Sequence, residues 1–245
     1  MIKLENTDIY GFEAAIRGMR NPLNSWAKSD SYPAVDCKKC GKVEREGSCK
    51  KGERDCTGFE CFVIGENDLA LMRRLAHAGD DHGKFARFIN VTVDITAPLY
   101  WWKEADTYKV GTVSNSCSTM HKLMDKPFAT SDFSFEYVEK IVDSDTIAEL
   151  INQLNELRDA YLSFDELLEA GKIRSGFSKK DIWYTLIQWL PSSYNQKRTV
   201  QLNYQVLNRI YHARKNHKLD EWHVFCDWIE SLPYFKEIYL GGEGE

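Results

Sequence analysis

Residues 97–122 read APLYWWKEADTYKVGTVSNSCSTMHK. The run sets Tyr100, Trp101, Trp102 and Tyr108 among Lys, Glu, Asp, Ser, Thr and Asn, and adds a Cys and a His near its end. Apolar walls with a few placed polar groups are the composition of a concave ligand site rather than of a plain core or a solvated helix face. The four aromatics have two readings: packing of a helix into a large core, or stacking on a planar ligand. Residues 114–119 also have two: a polar loop that caps a helix, or a loop whose hydroxyls and backbone N–H groups hold phosphate oxygens.

Upstream of this run, residues 88–95 alternate, with Phe88, Ile89, Val91, Val93 and Ile95 set against Asn90, Thr92 and Asp94, the pattern of a half-buried strand. Pro98 then opens a helix over 99–109, and residues 111–120, rich in Ser, Thr and Asn, read as loop. Nearer the N-terminus a short helix is expected over 9–19. Residues 24–65 have little periodicity and read as loop or as a metal-held knuckle. Apolar Leu69, Leu71, Met72, Leu75 and Ala76 predict an amphipathic helix over 68–78, stopped by Gly79.

Downstream, a helix is expected over 131–142, capped by Ser131 or Asp132. A longer one over 145–170 carries a stripe of Ile147, Leu150, Leu154, Leu157, Tyr161, Phe164 and Leu168. Ser178 caps a helix over 179–190 that Pro191 ends. A strand over 199–202 and helices over 203–216 and 220–231 follow, and the terminal GGEGE is expected to be disordered. There is no internal repeat and no heptad run. The class expected is α+β, helix-dominated, with an antiparallel sheet.

The chain has 245 residues, 43% of them hydrophobic and 28% charged, enough for one domain over 1–245 with a Cys-rich insertion at about 33–65. A net charge of -5 with only local basic stretches argues against a nucleic-acid partner. No apolar run approaches the roughly 20 residues of a spanning helix, and residues 1–10 lack a signal-peptide core. The expectation is a cytoplasmic protein with no membrane partner.

Seven cysteines in such a chain read as thiols or metal ligands rather than disulfides. Cys37 and Cys40, two residues apart and followed by Gly41, form a knuckle suited to tetrahedral zinc. Cys49, Cys56 and Cys61 are candidates for the second pair, and the set taken forward is Cys37, Cys40, Cys49 and Cys56. An iron–sulfur cluster and free thiols are the alternatives. Lysines at 38, 39, 42, 50 and 51 would offset thiolate charge.

Some of these segments carry a family likeness. Ala97-Pro98-Leu99-Tyr100 follows the strand, Thr107-Tyr108-Lys109 closes the next helix, and Asn115-Ser116-Cys117-Ser118 lies in the loop beyond. Leu190-Pro191 is followed by Asn203 a dozen residues on and by Arg214 eleven beyond that. In this order the chain, from about residue 67 to 233, resembles the flavin-dependent thymidylate synthases. The resemblance implies a homotetramer with active sites between subunits, FAD as cofactor, and dUMP or a related pyrimidine nucleotide as substrate. It also implies folate and NADPH as further partners, and one-carbon transfer to the pyrimidine with reduced flavin as hydride source.

Carried over residue by residue, Ser118 and Arg214 would meet the nucleotide, while Tyr108, Lys109, Asn115 and Asn203 would face the flavin. The aromatics would then be candidates to stack on flavin or base. The chain departs from the family pattern where an Arg-His pair becomes Thr107-Tyr108, the loop Glu becomes Ser116, and two phosphate-binding Arg positions become Met120 and Ile187. Arg87 stands where the family has a His ahead of the strand. A phosphate wants Arg forks or backbone N–H groups, so the alternative is a retargeted or non-catalytic nucleotide-binding relative. Lys197 and Arg198 are candidates to supply the missing charge.

Overall fold

Strand β4 (Asn90–Pro98) shows how the sequence pattern becomes structure: Val91, Val93, Ile95 and Ala97 are buried and the residues between them are half-buried. The computed structural model describes residues 1–33, 62–173 and 176–241. Among these, strands β1 (Lys3–Tyr10), β4, β5 (Val113–Ser116) and β6 (Asn195–Asn203) form an antiparallel sheet in the order β1-β4-β6-β5. Two short strands, β2 (Tyr32–Pro33) and β3 (Phe62–Val63), pair antiparallel on either side of residues 34–61. Helices supply most of the remaining structure, so the helix-dominated α+β expectation holds. None of the described helices is long and apolar enough to cross a membrane.

The chain divides into two compact units. The first comprises Met1–Lys3, Ile95–Thr107 and Asn115–Arg198. Its core lies between helices α5 (Ser144–Leu162) and α7 (Lys179–Trp189), where Leu154 and Leu186 are fully buried and Phe133 stacks on Phe135 with centroids 5.0 Å apart. Asp143 caps α5 by accepting from the Thr146 N–H at 2.9 Å. Ser178 caps α7, as expected, and Asp181 completes a reciprocal cap by accepting from the Ser178 N–H at 2.7 Å.

Three expectations in this unit are corrected. Residues 131–142 hold two single 3-10 turns, Thr130–Asp132 and Val138–Lys140, instead of a helix. Between them Phe133 bridges Tyr194 in extended backbone, so its core packing overrides the helical pattern. The helix expected over 145–170 breaks at Ser163 into α5 and α6 (Phe164–Glu169). Helix α3 (Leu99–Ala105) ends before 109, where the Thr107 hydroxyl donates to the Glu104 carbonyl at 2.7 Å.

The second unit comprises Leu4–Asp94, Tyr108–Ser114 and Thr199–Glu245. It holds α1 (Phe12–Arg20), α2 (Glu66–His77), α8 (Tyr204–Arg214), α9 (Asp220–Glu230) and α10 (Phe235–Tyr239). Phe12, Tyr204 and Phe235 pack edge to face at its centre, at 5.6 and 5.7 Å. Gly79, with φ +103°, follows α2 as the expected stop. Below α2 the carboxylate of Asp68, on the helix's first turn, takes the Arg20 guanidinium at 2.6 Å, and both side chains are almost wholly buried. Strand β1 and helix α10 are elements the sequence pattern does not announce.

Candidate functional site

In the first unit, the opening segment folds its two indoles inward. Trp101 and Trp102 are 1% and 3% exposed and pack edge to face at 4.9 Å. Core packing therefore accounts for both, but Trp102 also has a polar task. Its indole N–H donates to the Gln196 carbonyl at 2.9 Å, which pins α3 to β6. The Arg198 guanidinium lies over the Trp102 ring at 4.1 Å, donates from Nε to Gln196 Oε1 at 2.9 Å and pairs with Asp106 at 2.7 Å.

The polar loop is tied to the same strand. The Cys117 N–H donates to the Lys197 carbonyl at 2.9 Å, and Gln196 Nε2 donates to the Cys117 carbonyl at 2.8 Å. This pairing makes residues 113–116 an edge strand where a loop was expected. Asn115 and Ser116 are exposed, Cys117 is exposed, and Ser118 is half-buried. Met120, on the single-turn helix α4 (Thr119–Lys122) and at a family Arg position, is exposed, and its carbonyl accepts from the Trp183 indole at 3.1 Å.

In the second unit, the structure brings Tyr108 and Arg214 together. Arg214 Nε donates to the Tyr108 hydroxyl at 2.8 Å, and the guanidinium lies 5.5 Å from the Tyr108 centroid and 4.8 Å from that of Trp222. Tyr108 and Trp222 are themselves edge to face at 6.1 Å, and His217 packs on Trp222 at 6.3 Å. Trp222 and His217 are thus neighbours of Arg214 that spacing did not single out, because His217 lies in the turn after α8 and Trp222 on the first turn of α9, and packing sets how that turn folds back on α8.

Asn203 is buried and caps α8, its Oδ1 accepting from the Val206 N–H at 3.0 Å. Gly111 crosses it with φ +79°, where an added Cβ would meet Asn203 Nδ2 and Val206 Cγ2 at 3.0 Å. Only glycine takes that backbone and that approach without strain. Lys109 is exposed. Two atoms of this unit, Thr112 Oγ1 and Asn208 Oδ1, are buried without a hydrogen-bond partner among the described residues.

Cys37, Cys40, Cys49 and Cys56 lie outside the described residues, and among the described ones no group of His, Cys, Asp and Glu is arranged to hold a metal. Of the two described cysteines, burial pushes the Cys226 thiol up to about 11, so it is no nucleophile at neutral pH.

The chain has the fold of the flavin-dependent thymidylate synthases. It is similar to the crystal structure of flavin-dependent thymidylate synthase ThyX from Helicobacter pylori complexed with FAD and dUMP, with a TM-score of 0.57 and 14% identity over 97% of each chain. A second structure of Helicobacter pylori ThyX with FAD and dUMP matches with a TM-score of 0.57 and 15% identity, over 98% of this chain and 97% of that one. No family model and no curated protein matches the sequence.

Proposed function

We propose that this chain binds a flavin and a pyrimidine nucleotide, dUMP or a relative, and transfers a one-carbon unit to the pyrimidine. The observation that carries this reading is the end-to-end likeness to structures holding FAD and dUMP. The residues present suit such ligands. Thr112 Oγ1 can donate and Asn208 Oδ1 can accept, and a buried polar atom left without a protein partner is one that a bound polar ring edge can satisfy. Lys109, Asn115, Asn203 and Tyr108 would hold the flavin, which supplies hydride transfer when bound, and Ser118 and Arg214 would orient the nucleotide.

The test is an absorbance spectrum of the full chain after FAD is added in excess and removed, followed by titration with dUMP. Retained flavin bands and saturable dUMP binding are the expected result. A colourless protein that binds no pyrimidine nucleotide sinks the reading. A second reading, a retargeted or non-catalytic nucleotide-binding relative, is favoured by one observation: Arg214 is already engaged with Tyr108 and Trp222 inside its own unit. A colourless protein that still binds dUMP selects it.

The proposal includes a structural zinc on Cys37, Cys40, Cys49 and Cys56. Metal analysis of protein purified without chelator should give about one zinc per chain, as expected for a tetrathiolate site; a metal-free, fully folded protein would remove it.

A further inference from the structure

We infer that Arg198 holds the phosphate of the nucleotide, in place of the arginines absent at Met120 and Ile187. The inference rests on the pyrimidine-nucleotide reading above.

Arg198 is built into the first unit as a fixed fork. Trp102 covers one face of its guanidinium at 4.1 Å. Gln196, itself buried, takes Nε at 2.9 Å, and Asp106 takes Nη1 at 2.7 Å. Among the described residues Nη2 has no hydrogen-bond partner, and the side chain as a whole is 14% exposed, so the fork has a donor to spare. An arginine whose rotamers are already locked loses little entropy on gripping an oxyanion, and its planar fork matches phosphate geometry.

Gln196 joins this fork to the loop that would take the nucleotide. One end of its amide orients Arg198, and the other donates to the Cys117 carbonyl at 2.8 Å, next to Ser118. A buried glutamine with both ends used fixes the loop and the cation in one frame. Asp106 does not close the site. Its side chain is 52% exposed, and an ion pair that open on its acid side is weak. A phosphate dianion can therefore compete with it or share the guanidinium.

The test is equilibrium binding of dUMP, deoxyuridine and inorganic phosphate to the full chain, wild type against Arg198→Met and Arg198→Lys. Arg198→Met should weaken dUMP on the order of 10- to 100-fold, as expected for losing a charge-assisted hydrogen bond. Deoxyuridine binding should not change. Arg198→Lys, which keeps the charge and loses the fork, should recover part of the dUMP affinity. Equal losses for dUMP and deoxyuridine, or no loss for either, overturn the inference.

If the wild type binds no dUMP, the nucleotide reading fails on its own, and inorganic phosphate decides the role of Arg198. Phosphate binding that Arg198→Met removes supports it, and absent or unaffected phosphate binding overturns it. Should Arg198→Met melt before it can be titrated, Arg198→Lys decides alone, by a loss confined to the phosphorylated ligands or by no such loss.

Discussion

Asp68→Ala is expected to destabilise the chain by about 3–5 kcal/mol, the cost of leaving one member of a buried ion pair without its partner. The Asp68 carboxylate accepts from Arg20 Nε at 2.6 Å, from the hydroxyls of Ser29 and Ser31 at 2.7 Å each, and from the N–H groups of Asp30 and Ser31 at 3.1 Å. Arg20 is 3% exposed and spends its other N–H groups on the Ser25 and Lys28 carbonyls. Removing the carboxylate therefore strands a buried cation and the donors of the 29–31 turn together. Guanidinium unfolding should show a lower midpoint at unchanged slope, and a loss below about 1 kcal/mol would match a solvated surface pair instead and refute the account.

The same group sets a pH dependence. Burial pushes the Asp68 carboxyl up, but hydrogen bonds from Ser31, Ser29, Arg20 and the Asp30 N–H outweigh it and hold the group below its usual value. A carboxyl depressed in the folded state contributes stability that is fully present above its unfolded value of about 3.9 and is lost as pH falls through the lower folded value. The gap between wild type and Asp68→Ala should stay constant from neutral pH to about 5 and narrow only below about 4.

Much of this fold was legible because its elements carry their own local signals. The alternation of Val91, Val93 and Ile95 announced β4, and Ser178 announced the start of α7. Asn203 announced α8, although its side chain proved to be the helix cap. What was missed depends on partners far along the chain. Strand β1 has only a weakly buried face, and β5 is wholly exposed and exists through its pairing with β6. The apparent helix over 131–142 fails because Phe133 and Phe135, two apart, both turn into the core, a spacing that suits extended chain.

The candidate site was legible as composition and not as geometry. The density of aromatics in residues 97–122 pointed to a ligand site, yet Trp101 and Trp102 are both core residues, and the polar contacts of the pair lie in what Trp102 holds. Its partner Arg198 is on β6 and enters through tertiary folding, as does the Tyr108–Arg214 contact. No periodicity links residues so far apart. The resemblance to thymidylate synthases located Tyr108 and Arg214 separately, and the structure joins them.

Arg214→Ala is expected to weaken dUMP binding on the order of 100-fold, the upper range for losing a charge-assisted contact. The measurement must separate this from a second consequence. Arg214 is also a clamp: it donates to Tyr108 at 2.8 Å and lies over the Tyr108 and Trp222 rings. Cation–π contacts contribute about 0.5–1 kcal/mol each at accessible positions, so the variant should also melt a few degrees lower. Arg214→Lys sorts the two roles, because a lysine keeps the charge but cannot both donate from a planar fork and stack. If nucleotide binding follows charge, Lys restores most of the affinity and little of the stability. If binding requires Tyr108 to be held in place, Lys restores neither. Unchanged dUMP affinity in Arg214→Ala, with only the melting point lowered, would make Arg214 a structural clamp and remove it from the nucleotide site.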